Sequence, residues 1–300
     1  MTHSLEKLPV LCIGSVLWDI IGRSSSAMRQ GSDVPGRITR VPGGVAMNIA
    51  MALARFDVPC ELLSAVGRDA AGDGLLAQAR ARGLGVAHLY RSEDLPTDSY
   101  MAIEGANGLI AAIADAHSLE QAGDKILRAL EHGPLGTVQA PFGGTIALDG
   151  NLTLDLLRRI AKSAIFARAD LRVAPASPGK AERLAPFFGH AGTTFYVNLE
   201  EAGLLCHSGF DSAQTAARAM VERGATRALV TDGGKAAAFA TADLCLVQTP
   251  PPVLVARVTG AGDTFMAAHI AAERNAAAPD IALSAALTAA AAYVSGETPL

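Results

Sequence analysis

The feature that most constrains this chain is a rhythm of short apolar runs separated by helix-length stretches. Runs rich in Leu, Ile and Val at 10–13, 61–66, 144–148, 171–173, 194–198, 228–231 and 236–240 read as buried strands. Between them, 45–56, 72–82, 153–166, 214–223 and 263–273 read as helices. An apolar strand of this kind needs cover on both faces, and a helix between successive strands makes them parallel. The pattern predicts an α/β chain: a doubly wound, mostly parallel sheet with helices on both faces. Three hundred residues, half of them apolar, supply ample core, and no linker or internal repeat divides them, so one domain is expected over 1–300.

Two segments, about 16–41 and 97–114, break the rhythm. In the second, 100–104 and 109–113 flank Ala106-Asn107-Gly108 as the arms of a hairpin would. Together the two segments are expected to form a small β lid over the carboxyl ends of the main strands, where open α/β sheets bind ligands.

Charge and cysteine usage narrow the function classes. With 25 Lys and Arg against 29 Asp and Glu, the net charge is −4 and no basic block is present, which argues against nucleic acid or an anionic membrane as partner. Cys12, Cys60, Cys206 and Cys245 stand singly, without zinc or disulfide spacing, and fit a reducing cytoplasm. Glu6, Lys7 and Pro9 interrupt the N-terminus, so no secretion signal is expected and the mature chain should begin near residue 1. The apolar stretch 281–294, stopped by Pro279 and Asp280, is short of the roughly 20 residues of a membrane span and is expected to be a buried helix.

The sharpest local signal is Val258-Thr259-Gly260-Ala261-Gly262-Asp263, which opens an apolar helix. Glycines at a helix start let backbone N–H groups approach an anion with the helix dipole behind them. Asp263 is then either a proton acceptor for a hydroxyl beside that anion or an N-cap. Its place in the first turn predicts a pKa at or below about 4. A second loop, Gly43-Gly44, precedes a helix that carries Asn48 inside it, aimed either at solvent or at a polar ligand. Asp19 is either a turn residue or a carboxylate that holds a hydroxyl. No G-x-x-x-x-G-K-[ST], G-x-G-x-x-G, H-E-x-x-H or G-x-S-x-G string occurs, so P-loop, Rossmann dehydrogenase, zincin and hydrolase readings lack an anchor.

Gly43-Gly44 with Asn48, Gly67-x-Asp69-x-x-Gly72, Asn198-x-x-Glu201 and Gly260-Ala261-Gly262-Asp263 stand in the order and spacing of the PfkB carbohydrate kinases, and the chain resembles this ribokinase-like family over nearly its whole length. The resemblance implies transfer of the γ-phosphoryl of ATP to a sugar hydroxymethyl group. Within the family, Leu63-Ser64-Ala65-Val66-Gly67, Thr97-x-Ser99-Tyr100 and Ala112-Ile113-Ala114-Asp115 are most similar to pseudouridine kinases, implying the 5′-hydroxyl of pseudouridine as acceptor. Other nucleosides or sugars, and a non-catalytic sugar-binding relative, are the rival readings.

The resemblance carries roles onto particular residues. Asp263 resembles the catalytic base, with Gly260, Ala261 and Gly262 as the anion hole. Asp19, Gly43, Gly44 and Asn48, with Thr97, Ser99 and Asp115 from the lid, resemble acceptor-binding residues. Asn198, Thr231, Gly233, Thr259, Gly260 and Gly262 match the ATP side, and Glu201 is implied to support Mg²⁺ through water. A monovalent cation such as K⁺ and a homodimer are further implications. Three residues depart from the pattern: Arg257 and Ala174 stand where Asp is common, and Ala236 where glycine closes the nucleotide loop. Arg257 reads either as a phosphate partner or as a surface arginine.

Overall fold

A computed structural model describes residues 8–297, so the expectations for the first seven residues lie outside the described residues. The strands, in chain order, are β1 (Val10–Ile13), β2 (Leu17–Arg23), β3 (Arg37–Gly43), β4 (Cys60–Leu63), β5 (Ala65–Gly67), β6 (Tyr90–Ser92), β7 (Ser99–Gly105), β8 (Gly108–Asp115), β9 (His132–Gly133), β10 (Gly136–Thr137), β11 (Thr145–Asp149), β12 (Asp170–Ala174), β13 (Thr193–Asn198), β14 (Arg227–Thr231), β15 (Ala237–Ala240) and β16 (Cys245–Gln248). The helices are α1 (Val45–Arg55), α2 (Ala70–Ala81), α3 (His117–Ala122), α4 (Arg128–Glu131), α5 (Leu154–Lys162), α6 (Leu199–Cys206), α7 (Ala213–Glu222), α8 (Ala261–Arg274) and α9 (Pro279–Ser295).

The main sheet has eight strands in the order β16-β15-β14-β13-β12-β11-β1-β4. The strands from β4 to β14 pair in parallel, and β15 and β16 extend the edge antiparallel. Side-chain alternation along β1 shows why cover is needed on both sides: Leu11 and Ile13 enter one buried cluster, Val10 and Cys12 the other. The first cluster is closed by α3, α5, α6 and α7, the second by α1, α2, α8 and α9. This is the doubly wound arrangement the rhythm predicts.

The two segments that break the rhythm form a second sheet, in the order β3-β2-β7-β8. β2 pairs antiparallel with β3 and parallel with β7, and β7 and β8 make the hairpin around Asn107-Gly108. Three local expectations need correction. The run 61–66 divides at Ser64, where β4 leaves the main sheet and β5 pairs with β6 instead. α9 is buried along one face only, since Ile281 is 58% exposed while Leu283 and Ala286 are fully buried. The edge strand β16, with no fully buried residue, escaped the apolar pattern. No helix among the described residues is long and apolar enough to cross a membrane.

Candidate active site

In chain order the strands run outward from β1 to β4 on one side and from β11 on the other, so the sheet changes direction between β1 and β11. Open α/β sheets bind ligands at this switch, beyond the carboxyl ends of the strands. The residues there are Gly14 and Ser15 after β1, and Asp149 at the end of β11. Asp149 is fully buried and accepts from Ser15 N–H (2.7 Å), Ser15 Oγ (3.1 Å), Ala46 N–H (3.1 Å) and Asn151 N–H (2.8 Å). A Cβ on Gly14 would lie 2.2 Å from Asp149 Oδ2, so that carboxylate fits only beside a glycine. Asn151 links the group outward, donating to Ser15 Oγ (2.8 Å) and accepting from Lys180 Nζ (2.5 Å).

Above this floor α8 begins. Its N-cap, Gly260, has φ 90°, the left-handed region that glycine tolerates. Ala261 N–H donates to Val258 O (3.0 Å) and Thr264 N–H to Gly260 O (3.0 Å). The amide of Ala261 thus closes a turn inside the loop that leads into the helix. Nothing lies within 4 Å of where a Gly262 Cβ would stand, so that approach is open.

Asp263 sits in the first turn of α8, and Asn48 Nδ2–H on α1 donates to its Oδ2 at 3.0 Å. Close packing in the cleft pushes its pKa up to about 7. The Asn48 amide opposes that rise, and the charges of Asp149, Asp19 and Glu201 add to it. The expectation of a pKa at or below 4 is thus wrong: loss of water around the carboxylate outweighs the helix dipole.

Asp19 lies on β2, and burial raises its pKa to about 6. A Cβ on Gly43 would fall 2.0 Å from its Oδ2, which explains that glycine, while one on Gly44, the N-cap of α1 (φ 90°), would fall 2.5 Å from Ser15 O. Cross-strand register sorts the remaining lid residues. Asp19 is paired with Tyr100, whereas Trp18, Ser99 and Asp115 share a row and so the opposite face. Tyr100, whose pKa rises through burial and then the charge of Asp19, is the neighbour sequence reasoning missed. Asp115 instead accepts from or shares a proton with His117 Nδ1 at 2.8 Å. Thr97 gives both its hydroxyl (2.6 Å) and its N–H (2.8 Å) to Asp69, the N-cap of α2, so it braces a helix start.

At the end of β13, Asn198 caps α6 through a reciprocal box. Its Oδ1 accepts from Glu201 N–H (2.9 Å), and Glu201 Oε2 accepts from Asn198 N–H (2.8 Å). Burial raises Glu201 to about 7. Thr231 is directly paired with Asn198 at the end of β14, and Gly233 (φ 56°) turns the loop that follows. Arg257 Nε donates to Tyr293 O at 2.8 Å, which ties the arginine to the end of α9. Asp149, Asn151, Lys180 and Tyr293 were not singled out from sequence, although a carboxylate followed by glycine at the end of an apolar run, as in Asp149-Gly150, is a usable signal.

The family model described as "pfkB family carbohydrate kinase" matches residues 7–298. The chain belongs to the pfkB family of carbohydrate kinases. Among similar proteins, the pseudouridine kinase of Escherichia coli (strain K12) is 29% identical over 274 residues, covering 87% of this chain and 82% of the relative. The guanosine-inosine kinase of Exiguobacterium acetylicum is 27% identical over 289 residues, with 88% and 86% covered. The structure of Arabidopsis thaliana ribokinase complexed with ribose and ATP superposes with a TM-score of 0.77 at 20% identity, over 96% of this chain and 93% of that one. The fold is therefore the ribokinase-like α/β fold, and this pfkB kinase is a phosphotransferase with an alcohol group as acceptor.

Proposed function

We propose that this pfkB kinase transfers the γ-phosphoryl of ATP to the 5′-hydroxyl of a nucleoside, with pseudouridine as the acceptor. The observation that carries the reading is Asp263, held by Asn48 at the glycine-rich start of α8 and raised to a pKa of about 7. A base near neutrality is well matched to accept the hydroxyl proton as the alcohol oxygen bonds to phosphorus and the bond to ADP breaks. The amides of Gly260 and Gly262 supply donors for charge on the transferring phosphoryl oxygens. Asp19, Gly43, Gly44 and Tyr100 line the acceptor side.

The charges of Asp149, Asp19 and Glu201 raise the proton affinity of Asp263, a concentration of negative charge that a cation relieves. No group of three or more metal-ligating side chains stands ready among the described residues. That suits Mg²⁺ carried on the phosphates with most of its waters, and Glu201 is the residue that would meet it through water. When bound, Mg²⁺ neutralises phosphate charge. The role of K⁺ is decided by comparing rates in potassium and tetramethylammonium salts.

We read the chain as one domain with the second sheet as its lid, closing over the acceptor and excluding water. The outer face of that lid exposes Ile38, Met101, Ile103 and Ile113, which lie on one side by register and suit burial against a second copy of the chain. The four free cysteines suit a cytoplasmic location.

The lid strings shared with pseudouridine kinases and the 29% identical relative support pseudouridine; the guanosine-inosine kinase keeps purine nucleosides as the second reading. The test offers ATP, Mg²⁺ and pseudouridine, uridine, guanosine, inosine or ribose, with the product identified by mass. The expected outcome is pseudouridine 5′-phosphate at the highest kcat/KM. A clear preference for ribose or a purine nucleoside would replace the acceptor assignment.

A further inference from the structure

The loop that feeds α8 is gripped by the end of α9. Ala256 and Arg257 both donate their backbone N–H to Val294 O, at 2.9 and 3.1 Å. The guanidinium of Arg257 turns onto the same helix end. Its Nε donates to Tyr293 O at 2.8 Å, and its central carbon lies 4.0 Å from the centroid of the Tyr293 ring. A cation is favoured at a helix C-terminus by the dipole and over an aromatic face by the ring quadrupole, and Arg257 satisfies both at once.

The ring it holds reaches back to the catalytic loop. Tyr293 Oη donates to Thr259 O at 3.0 Å, and a Cβ on Gly260 would come within 2.6 Å of that hydroxyl oxygen. The ring tip thus abuts the glycine whose positive φ turns the chain into α8. Two of the last three residues before the helix are fixed by one side chain, and Arg257 fixes that side chain.

We propose that Arg257 and Tyr293 are positioning residues: the guanidinium docked on α9 clamps the Tyr293 ring against Thr259 and Gly260, and so sets where the amides of Gly260 and Gly262 point. In this role both act through the loop and not on the substrate. The inference rests on the kinase reading of the α8 start. Misplacement of a transition-state donor by a fraction of an ångström is felt in turnover more than in ground-state binding.

The test uses the full chain with Tyr293→Phe, which removes only the hydroxyl contact, and Arg257→Ala and Arg257→Lys. Steady-state kinetics and amide hydrogen exchange over residues 258–264 are read in parallel. Tyr293→Phe is expected to lower kcat about tenfold with acceptor KM within about twofold, and to speed exchange in that segment alone. Arg257→Ala should do the same and regain part of its rate on addition of guanidinium ion, while Arg257→Lys, which keeps charge without the planar stack, should fall between. Unchanged kcat and exchange in Tyr293→Phe would overturn the clamp. Failure of guanidinium to rescue a folded Arg257→Ala would overturn the role of the arginine. Wild-type protein that phosphorylated no acceptor would instead sink the kinase reading, and the exchange data alone would then decide the clamp.

Discussion

A carboxylate in the first turn of a helix ordinarily stays ionised well below neutrality, because the dipole favours its charge. Asp263 departs from that rule, since the cleft strips its water and three other carboxylates crowd it. Besides the dipole, the Asn48 amide favours its charged form, donating at 3.0 Å. If Asp263 is the base we propose, the rate rises with pH as it ionises. We expect the acid limb of kcat/KM to lie near pH 7, and Asn48→Ala to move it to higher pH because the opposing hydrogen bond is gone. Asp263→Asn should lower kcat by about 10² to 10⁴-fold with the fold intact, checked by circular dichroism and turnover. An acid limb near pH 4, or near-normal turnover in Asp263→Asn, would remove the residue as base. Asp263 and Asn48 stood out in sequence because glycines precede them, and Asp19 stood out from a turn residue only through the family resemblance. Asp149, Lys180 and Tyr293 did not, since each owes its place to a neighbour at least 29 positions away in the chain.

Elements were legible where burial imposes a period. β1, β11 and β14 are wholly or largely buried and stand within a residue of the predicted runs. β16 alternates around partial exposure at the sheet edge, and β5 continues an apolar run whose break at Ser64 is decided by a partner strand, so periodicity misplaces both. α6 was overlooked although Asn198-x-x-Glu201 is a capping-box spacing, because the helix is only eight residues long. That box has a measurable weight. Asn198→Ala should cost about 1 kcal/mol of stability and free the Glu201 side chain, raising KM for Mg·ATP. Asn198→Ser, which can still accept from the Glu201 amide, should keep most of the stability. Equal melting temperatures for wild type and Asn198→Ala would show that the box does not hold the helix start.

At the scale of the molecule, what sequence does not reveal is how the two ends of α8 are fixed. One end carries Asp263. The other enters an ion network at the amino ends of β12 and β14, where Glu273 accepts from Arg172 (2.5 Å) and Arg227 (2.9 Å), and both arginines also bind Asp170. Arg172 also donates to Tyr196 Oη (2.9 Å), which is hydrogen-bonded to Nδ1 of the fully buried His269 (2.8 Å). Burial holds the His269 pKa down at about 4; the negative charges of Glu273 and Asp170 oppose this, and Arg172 and Arg227 reinforce it. An unfolded histidine takes a proton near pH 6.5, whereas the folded one resists until about 4, so the unfolded state gains protons first as the pH falls. Stability is therefore lost between about pH 6.5 and 4, by an amount on the order of 3 kcal/mol. Asp263, Asp19 and Glu201, whose pKa values are raised on folding, pull in the other direction over the same range and mask the effect in wild type. The difference between wild type and His269→Gln isolates it, because the carboxylates are common to both. Glutamine keeps a partner for Tyr196 but cannot titrate. The gap in unfolding free energy between the two proteins, from urea melts at pH 8 and pH 4.5, should shift toward the variant at the lower pH, while a gap independent of pH would mean that His269 does not stay neutral inside the fold.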